Sequence, residues 1–153
     1  MSYVLVGGTF DGLHKGHVKL LEKTFSIGGH VLVCITSDKM VRSKRASWKI
    51  SSFSERKRGV EALLRKKGWL SKSEIVKIDN PFSEGLRPDL THVVVSPETR
   101  PNAEKINEMR SANCLGPLEI VEIGWELSED GKPVSDARIR AGEIDRDGHL
   151  LHR

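Results

Sequence analysis

The two histidines flanking Lys15-Gly16 are the residues of this chain best suited to do chemistry. They close the run Gly7-Gly8-Thr9-Phe10-Asp11-Gly12-Leu13-His14-Lys15-Gly16-His17. An apolar segment precedes that run and an amphipathic one follows it. At such a strand-to-helix junction the amides of the first helical turn lack intrahelical partners. The helix dipole also favours negative charge there, so the junction is an anion site. Gly16 has no Cβ and lets a phosphate approach the backbone. His14 and His17 are three residues apart, share a helix face and can both donate to a polyphosphate. A metal site is the weaker alternative, because Cys34 and Cys114 are isolated and show no paired-ligand spacing.

The elements that must position these residues follow from periodicity. Tyr3–Val6 reads as the first strand. His17–Phe25 reads as a helix with Val18, Leu21 and Phe25 on one face, ended by Gly28-Gly29. Val31–Thr36 is a continuous apolar strand of the kind buried in a parallel sheet. Ser52-Phe53-Ser54-Glu55 offers a capping box for a helix to about Lys67 that buries Val60, Leu63 and Leu64. Strands follow at Glu74–Ile78, Val93–Val95 and Leu118–Ile123. Ala103–Asn113 reads as a helix entered at Pro101, with Ile106 and Met109 inward. Ser135–Ala141 reads as a short helix closed by Gly142. Alternating strands and helices predict an α/β fold, a doubly wound parallel sheet of five strands. In such a sheet ligands bind beyond the carboxyl ends of the strands, where the strand order reverses.

Composition sets the outer bounds. With 153 residues the expectation is a single domain, 1–153, large enough for a real core. No apolar run is long enough to span a membrane, and the N-terminus lacks the pattern of a secretion signal. Two isolated cysteines suit a reducing cytoplasm, where the chain is expected to reside. The net charge of +4 favours an anionic partner, a nucleotide ahead of a nucleic acid. The absence of glutamine beside many Lys, Arg and Glu is a bias reported for thermophilic proteins.

Gly8-Thr9-Phe10-Asp11-Gly12-Leu13-His14-Lys15-Gly16-His17 resembles the His-x-Gly-His signature of the nucleotidyltransferase superfamily. Val134-Ser135-Asp136-Ala137-Arg138-Ile139-Arg140-Ala141-Gly142-Glu143-Ile144-Asp145 resembles that superfamily's second signature in its archaeal phosphopantetheine adenylyltransferase form. Ser96-Pro97-Glu98-Thr99 and Ile106-Asn107 resemble the same branch. The likeness runs from Leu5 to about Gly148. It departs at Asp136-Ala137, where the family usually carries serine and threonine, leaving backbone N–H groups to serve the phosphates there.

The resemblance implies a Rossmann-like nucleotidyltransferase fold and transfer of AMP from ATP to 4′-phosphopantetheine, giving dephospho-coenzyme A and pyrophosphate. It implies His17 as the donor stabilising the transition state and His14 as a holder of the triphosphate. Gly8, Thr9, Phe10, Gly16, Glu98, Ser135 and Arg138 would face the nucleotide. Thr9 and Lys39 would take the acceptor phosphate, with Arg42 and Lys44 as alternates to Lys39. Magnesium would accompany ATP. FMN adenylyltransfer and glycerol-phosphate cytidylyltransfer share the N-terminal signature, and a basic nucleic-acid-binding domain is the rival of another class. The chain's pattern assigns no oligomeric state.

Other residues receive plainer expectations. The basic stretch Lys39, Arg42, Lys44, Arg45, Lys49, Arg56, Lys57 and Arg58 reads mostly as solvated, with Arg56–Arg58 facing water on a helix. Trp48, Trp69 and Trp125 read as partly buried packing residues. Asp11 reads as structural, capping the helix or supporting the loop. Asp145 and Asp147 could suggest metal ligands, but Asp147-Gly148 reads as a surface turn.

Overall fold

The structure, a computed structural model, describes residues 2–42, 50–124, 129, 132, 139 and 142–151. Five strands form one all-parallel sheet: β1 Tyr3–Gly8, β2 His30–Thr36, β3 Ser73–Ile78, β4 His92–Val95 and β5 Glu119–Glu122. Their order across the sheet is β3-β2-β1-β4-β5. The chain therefore winds outward from β1 in one direction and returns to the other side of β1 at β4. The helices are α1 Lys15–Ser26, α2 Asp38–Val41, α3 Phe53–Lys67 and α4 Arg100–Ala112.

The strands are apolar on both faces because both faces are covered, as parallel sheets require. Val4, Val6, Val31, Val33, Ile35 and Val94 meet Leu21 of α1 and Val60 and Leu64 of α3 in one cluster. The alternate residues Leu5, Leu32, Cys34, Val93 and Val95 meet Ala103 and Ile106 of α4 in the other. Trp69 stacks on Phe25 with ring centroids 4.5 Å apart, a packing role.

The helix ends follow local chemistry. The Ser52 hydroxyl caps α3 by accepting from the Glu55 N–H at 3.3 Å. Gly68, at φ 77°, closes that helix in the left-handed region. Ser37 caps α2, a single turn that the sequence pattern did not signal.

Three expectations are corrected here. Strand β1 runs on through Gly8, and α1 begins at Lys15, so His17 lies inside the first turn. Arg56 does not face water: it is 2% exposed. On α4 the inward residue beside Ile106 is Arg110, at 3% exposure, while Met109 is only half-buried. Both arginines sit on apolar helical stripes, Arg56 with Val60 and Leu64, Arg110 with Ala103 and Ile106. Buried guanidinium groups survive there by donating to backbone carbonyls. The expected Ser135–Ala141 helix, with Ser135, Asp136, Ala137 and Arg138, lies outside the described residues save for Ile139. Lys44, Arg45, Trp48, Lys49 and Trp125 do too.

Candidate active site

A cleft of about 370 Å³ opens at the carboxyl ends of the strands. Its walls come from Gly7, Gly8 and Thr9 at the end of β1 and just beyond it, Thr36 at the end of β2, Ile78 and Asn80 at β3, Ser96 and Glu98 at β4, and Ile123 and Gly124 at β5. The strand order reverses between β1 and β4, so this is where a doubly wound sheet leaves its loops parted.

His14, Gly16 and His17 all line the cleft. His14 is the residue preceding the first helical turn, with extended backbone. Its Nδ1 accepts the Gly16 N–H at 3.0 Å, and its own N–H donates to His17 Nδ1 at 3.2 Å. A backbone N–H can only donate, so each Nδ1 is an acceptor, and the hydrogen of each neutral ring resides on Nε2. The two rings stack with centroids 3.9 Å apart. The capping pattern thus fixes both imidazoles as Nε2–H donors.

That pattern changes the role expected for the helix amides. The Gly16 N–H is taken by the His14 ring, and the Lys15 N–H donates to the Arg146 carbonyl at 2.8 Å. The imidazoles, rather than the first-turn amides, are the donors the helix offers an anion. Gly16 is required for a different reason from phosphate access. A Cβ there would lie 2.8 Å from His14 Cε1, in the space where the ring folds back over the helix.

Phe10 packs against His17. It is 1% exposed, and its backbone sits at φ 53°, a left-handed conformation that costs a non-glycine residue on the order of 1–2 kcal/mol. Burying the ring offsets this by roughly 1.5–3 kcal/mol. The ring packs 5.4 Å from that of His17 and closes over Gly8, where a Cβ would approach it to 3.3 Å.

Thr9 faces the cleft and its Oγ1 accepts from Thr36 Oγ1 at 3.3 Å. Asp11 Oδ1 accepts the Ser51 N–H at 3.1 Å, loop support being one of the two roles expected of it. Glu98 belongs to a tight turn in which Thr99 Oγ1 accepts the Ser96 N–H at 3.0 Å. Lys39 is exposed on α2; its neighbour Met40, not Lys39, lines the cleft.

Cys34 lines the cleft floor, and burial, with the Glu84 charge as a lesser cause, pushes its thiol up to about 12. It stays protonated and is no nucleophile at neutral pH.

Among the described residues, one group of three could hold a metal: Asp145, Asp147 and His149. It forms a local turn, in which Asp145 Oδ1 accepts the Asp147 and His149 N–H groups, and it does not line the cleft.

Residues 5–142 match the cytidylyltransferase-like family. The phosphopantetheine adenylyltransferase of Archaeoglobus fulgidus is 41% identical over 150 residues, covering 97% of this chain and 99% of that protein. The chain belongs to the cytidylyltransferase-like family, within its archaeal phosphopantetheine adenylyltransferase branch. The enzyme of that name from Methanosarcina mazei is 40% identical over 153 residues, covering 98% of this chain and 97% of that protein. A crystal structure of an A. fulgidus protein of unknown function superposes with a TM-score of 0.72 at 36% identity, over 80% of this chain and 89% of that one. Pantothenate synthetase from Thermus thermophilus shares only the fold, with a TM-score of 0.59 at 15% identity, over 91% of this chain and 61% of that one. No helix among the described residues is long and apolar enough to cross a membrane.

Proposed function

We infer that the cleft transfers the adenylyl group of ATP to 4′-phosphopantetheine. The observation that carries this is the stacked pair of Nε2–H donors at the switch point of a chain about 40% identical over its length to phosphopantetheine adenylyltransferases. An oxygen of the acceptor phosphate attacks the α-phosphorus, the bond from that phosphorus to the bridging oxygen breaks, and pyrophosphate leaves with the electron pair. Dephospho-coenzyme A remains.

The second pKa of a phosphate monoester is about 6, so the nucleophile is largely a dianion at neutral pH and needs no general base. The task left to the protein is to bring anions together and to stabilise charge on the α-phosphate. We assign Nε2–H of His17 to the α-phosphate oxygens and Nε2–H of His14 to the bridging side of the triphosphate. Thr9 seats the acceptor phosphate, and Lys39, exposed on α2 outside the cleft's lining, is assigned to the same phosphate. Gly8, Phe10, Gly16 and Glu98 shape the nucleotide's side of the cleft; Ser135 and Arg138, which lie outside the described residues, are assigned to the β- and γ-phosphates from the sequence resemblance alone. Magnesium would accompany ATP and neutralise part of the charge on its triphosphate. The two isolated cysteines support a reducing, cytoplasmic setting for this reaction.

Pyrophosphate release from ATP, measured with 4′-phosphopantetheine, FMN and glycerol 3-phosphate in turn, tests the assignment. Release with 4′-phosphopantetheine alone is expected. Release with FMN and none with phosphopantetheine would overturn it.

A further inference from the structure

Arg56 is a buried charge that the mechanism above does not use, and unlike buried Arg110 it touches the signature loop. Its side chain is 0% exposed, and its fork donates to four residues from three separate segments. Nε donates to the Ser51 carbonyl at 2.9 Å. Nη1 donates to the Thr9 carbonyl at 3.0 Å, the Thr36 carbonyl at 2.7 Å and Thr36 Oγ1 at 3.1 Å. Nη2 pairs with Asp38 Oδ1 at 3.1 Å. Asp38 Oδ1 in turn accepts the Phe53 N–H at 2.7 Å. One guanidinium therefore ties the signature loop after β1 to the end of β2, the start of α2 and the start of α3.

The direction of these bonds is informative. A guanidinium N–H can only donate. It occupies a lone pair of Thr36 Oγ1 and turns the hydrogen of that hydroxyl away, toward Thr9 Oγ1 at 3.3 Å. Thr9 Oγ1 is thereby made an acceptor on its inner side, which directs its own hydrogen elsewhere. Hydrogen bonds in such a chain polarise one another in a low-dielectric setting.

We propose that Arg56 and Thr36 are positioning residues that set the Thr9 hydroxyl as a donor to the acceptor phosphate. The inference rests on the role assigned to Thr9 above. It makes Arg56 part of the functional apparatus although it lies behind the loop and outside the cleft's lining. Lysine could not replace it, because a single ammonium cannot reach four partners arranged around a planar fork.

Thr36→Val is the sharpest test. It keeps the shape, and Nη1 of Arg56 retains the Thr9 and Thr36 carbonyls, so no buried donor is orphaned. We expect a normal melting curve. We expect the KM for 4′-phosphopantetheine to rise about tenfold, the ratio one ordinary net hydrogen bond represents, with the KM for ATP within about twofold of wild type. Thr36→Ser, which keeps the hydroxyl, should restore wild-type values. Arg56→Lys should show the same acceptor-selective loss, and the Arg56→Lys, Thr36→Val double variant should be no worse than Arg56→Lys alone. An active wild type whose acceptor KM is unmoved by Thr36→Val overturns this inference alone. So do losses that multiply in the double variant. A wild type silent with 4′-phosphopantetheine overturns the proposed function and this inference together.

Discussion

Gly16→Ala separates activity from stability in this fold. The new Cβ would lie 2.8 Å from His14 Cε1, closer than real Cβ contacts allow, and a tight 3.1 Å from Nδ1. The obstacle is the far end of a side chain rather than backbone, so the ring gives up its bond and stack and swings aside while the backbone stays. Two stability terms then oppose each other. Losing the ring's bond to the Gly16 N–H removes a helix cap worth about 1 kcal/mol. Replacing glycine by alanine in the first turn returns up to about 1 kcal/mol. The net change should stay within about 1 kcal/mol, a shift of roughly 2–4 °C in Tm for a chain of this size. Activity has no such compensation. The displaced ring leaves the 3.9 Å stack with His17 and its place in the cleft wall. Removal of one preorganised donor costs about 10²–10³ in kcat. Pyrophosphate release at saturating substrates, beside a thermal melt, measures both. Turnover near wild type with an unchanged melt would refute the claim that the His14 ring must fold over Gly16. A collapse in Tm would refute the claim that only the ring moves.

Three further outcomes follow from the same structure. His17→Ala should lose about a few hundred-fold in kcat through its missing Nε2–H while remaining folded by circular dichroism; turnover near wild type would remove His17 from the α-phosphate. Alkylation of the native protein at about pH 8 should modify exposed Cys114 and spare Cys34, whose thiol burial holds at about 12; equal labelling would show that the cleft floor is open to solvent. Tyr3, the only tyrosine, is raised to about 12 by burial and by its 2.6 Å hydrogen bond to Glu74. Its contribution to stability is complete below the unfolded value of about 10 and is lost as pH rises from there through about 12. Phenolate absorbance should therefore titrate late in the native protein, and Tyr3→Phe should abolish this part of the alkaline destabilisation; a midpoint near 10 would contradict it.

The sequence by itself determined the parallel sheet, because apolar runs such as Val31–Thr36 are unbroken only in strands covered on both faces. It also determined where the chemistry sits, because glycines and histidines at the end of a first strand leave few other uses for that spacing. Only the tertiary structure decided how those residues act. Periodicity marked Arg56 as one cation among many, though its place on the stripe with Val60 and Leu64 was the available signal. Its burial depends on carbonyls of Thr9, Thr36 and Ser51, which lie far from one another in sequence and meet only after folding. The Nε2–H state of both imidazoles likewise depends on which backbone N–H each Nδ1 meets. Residue order records which groups can donate and accept; three-dimensional proximity alone pairs them.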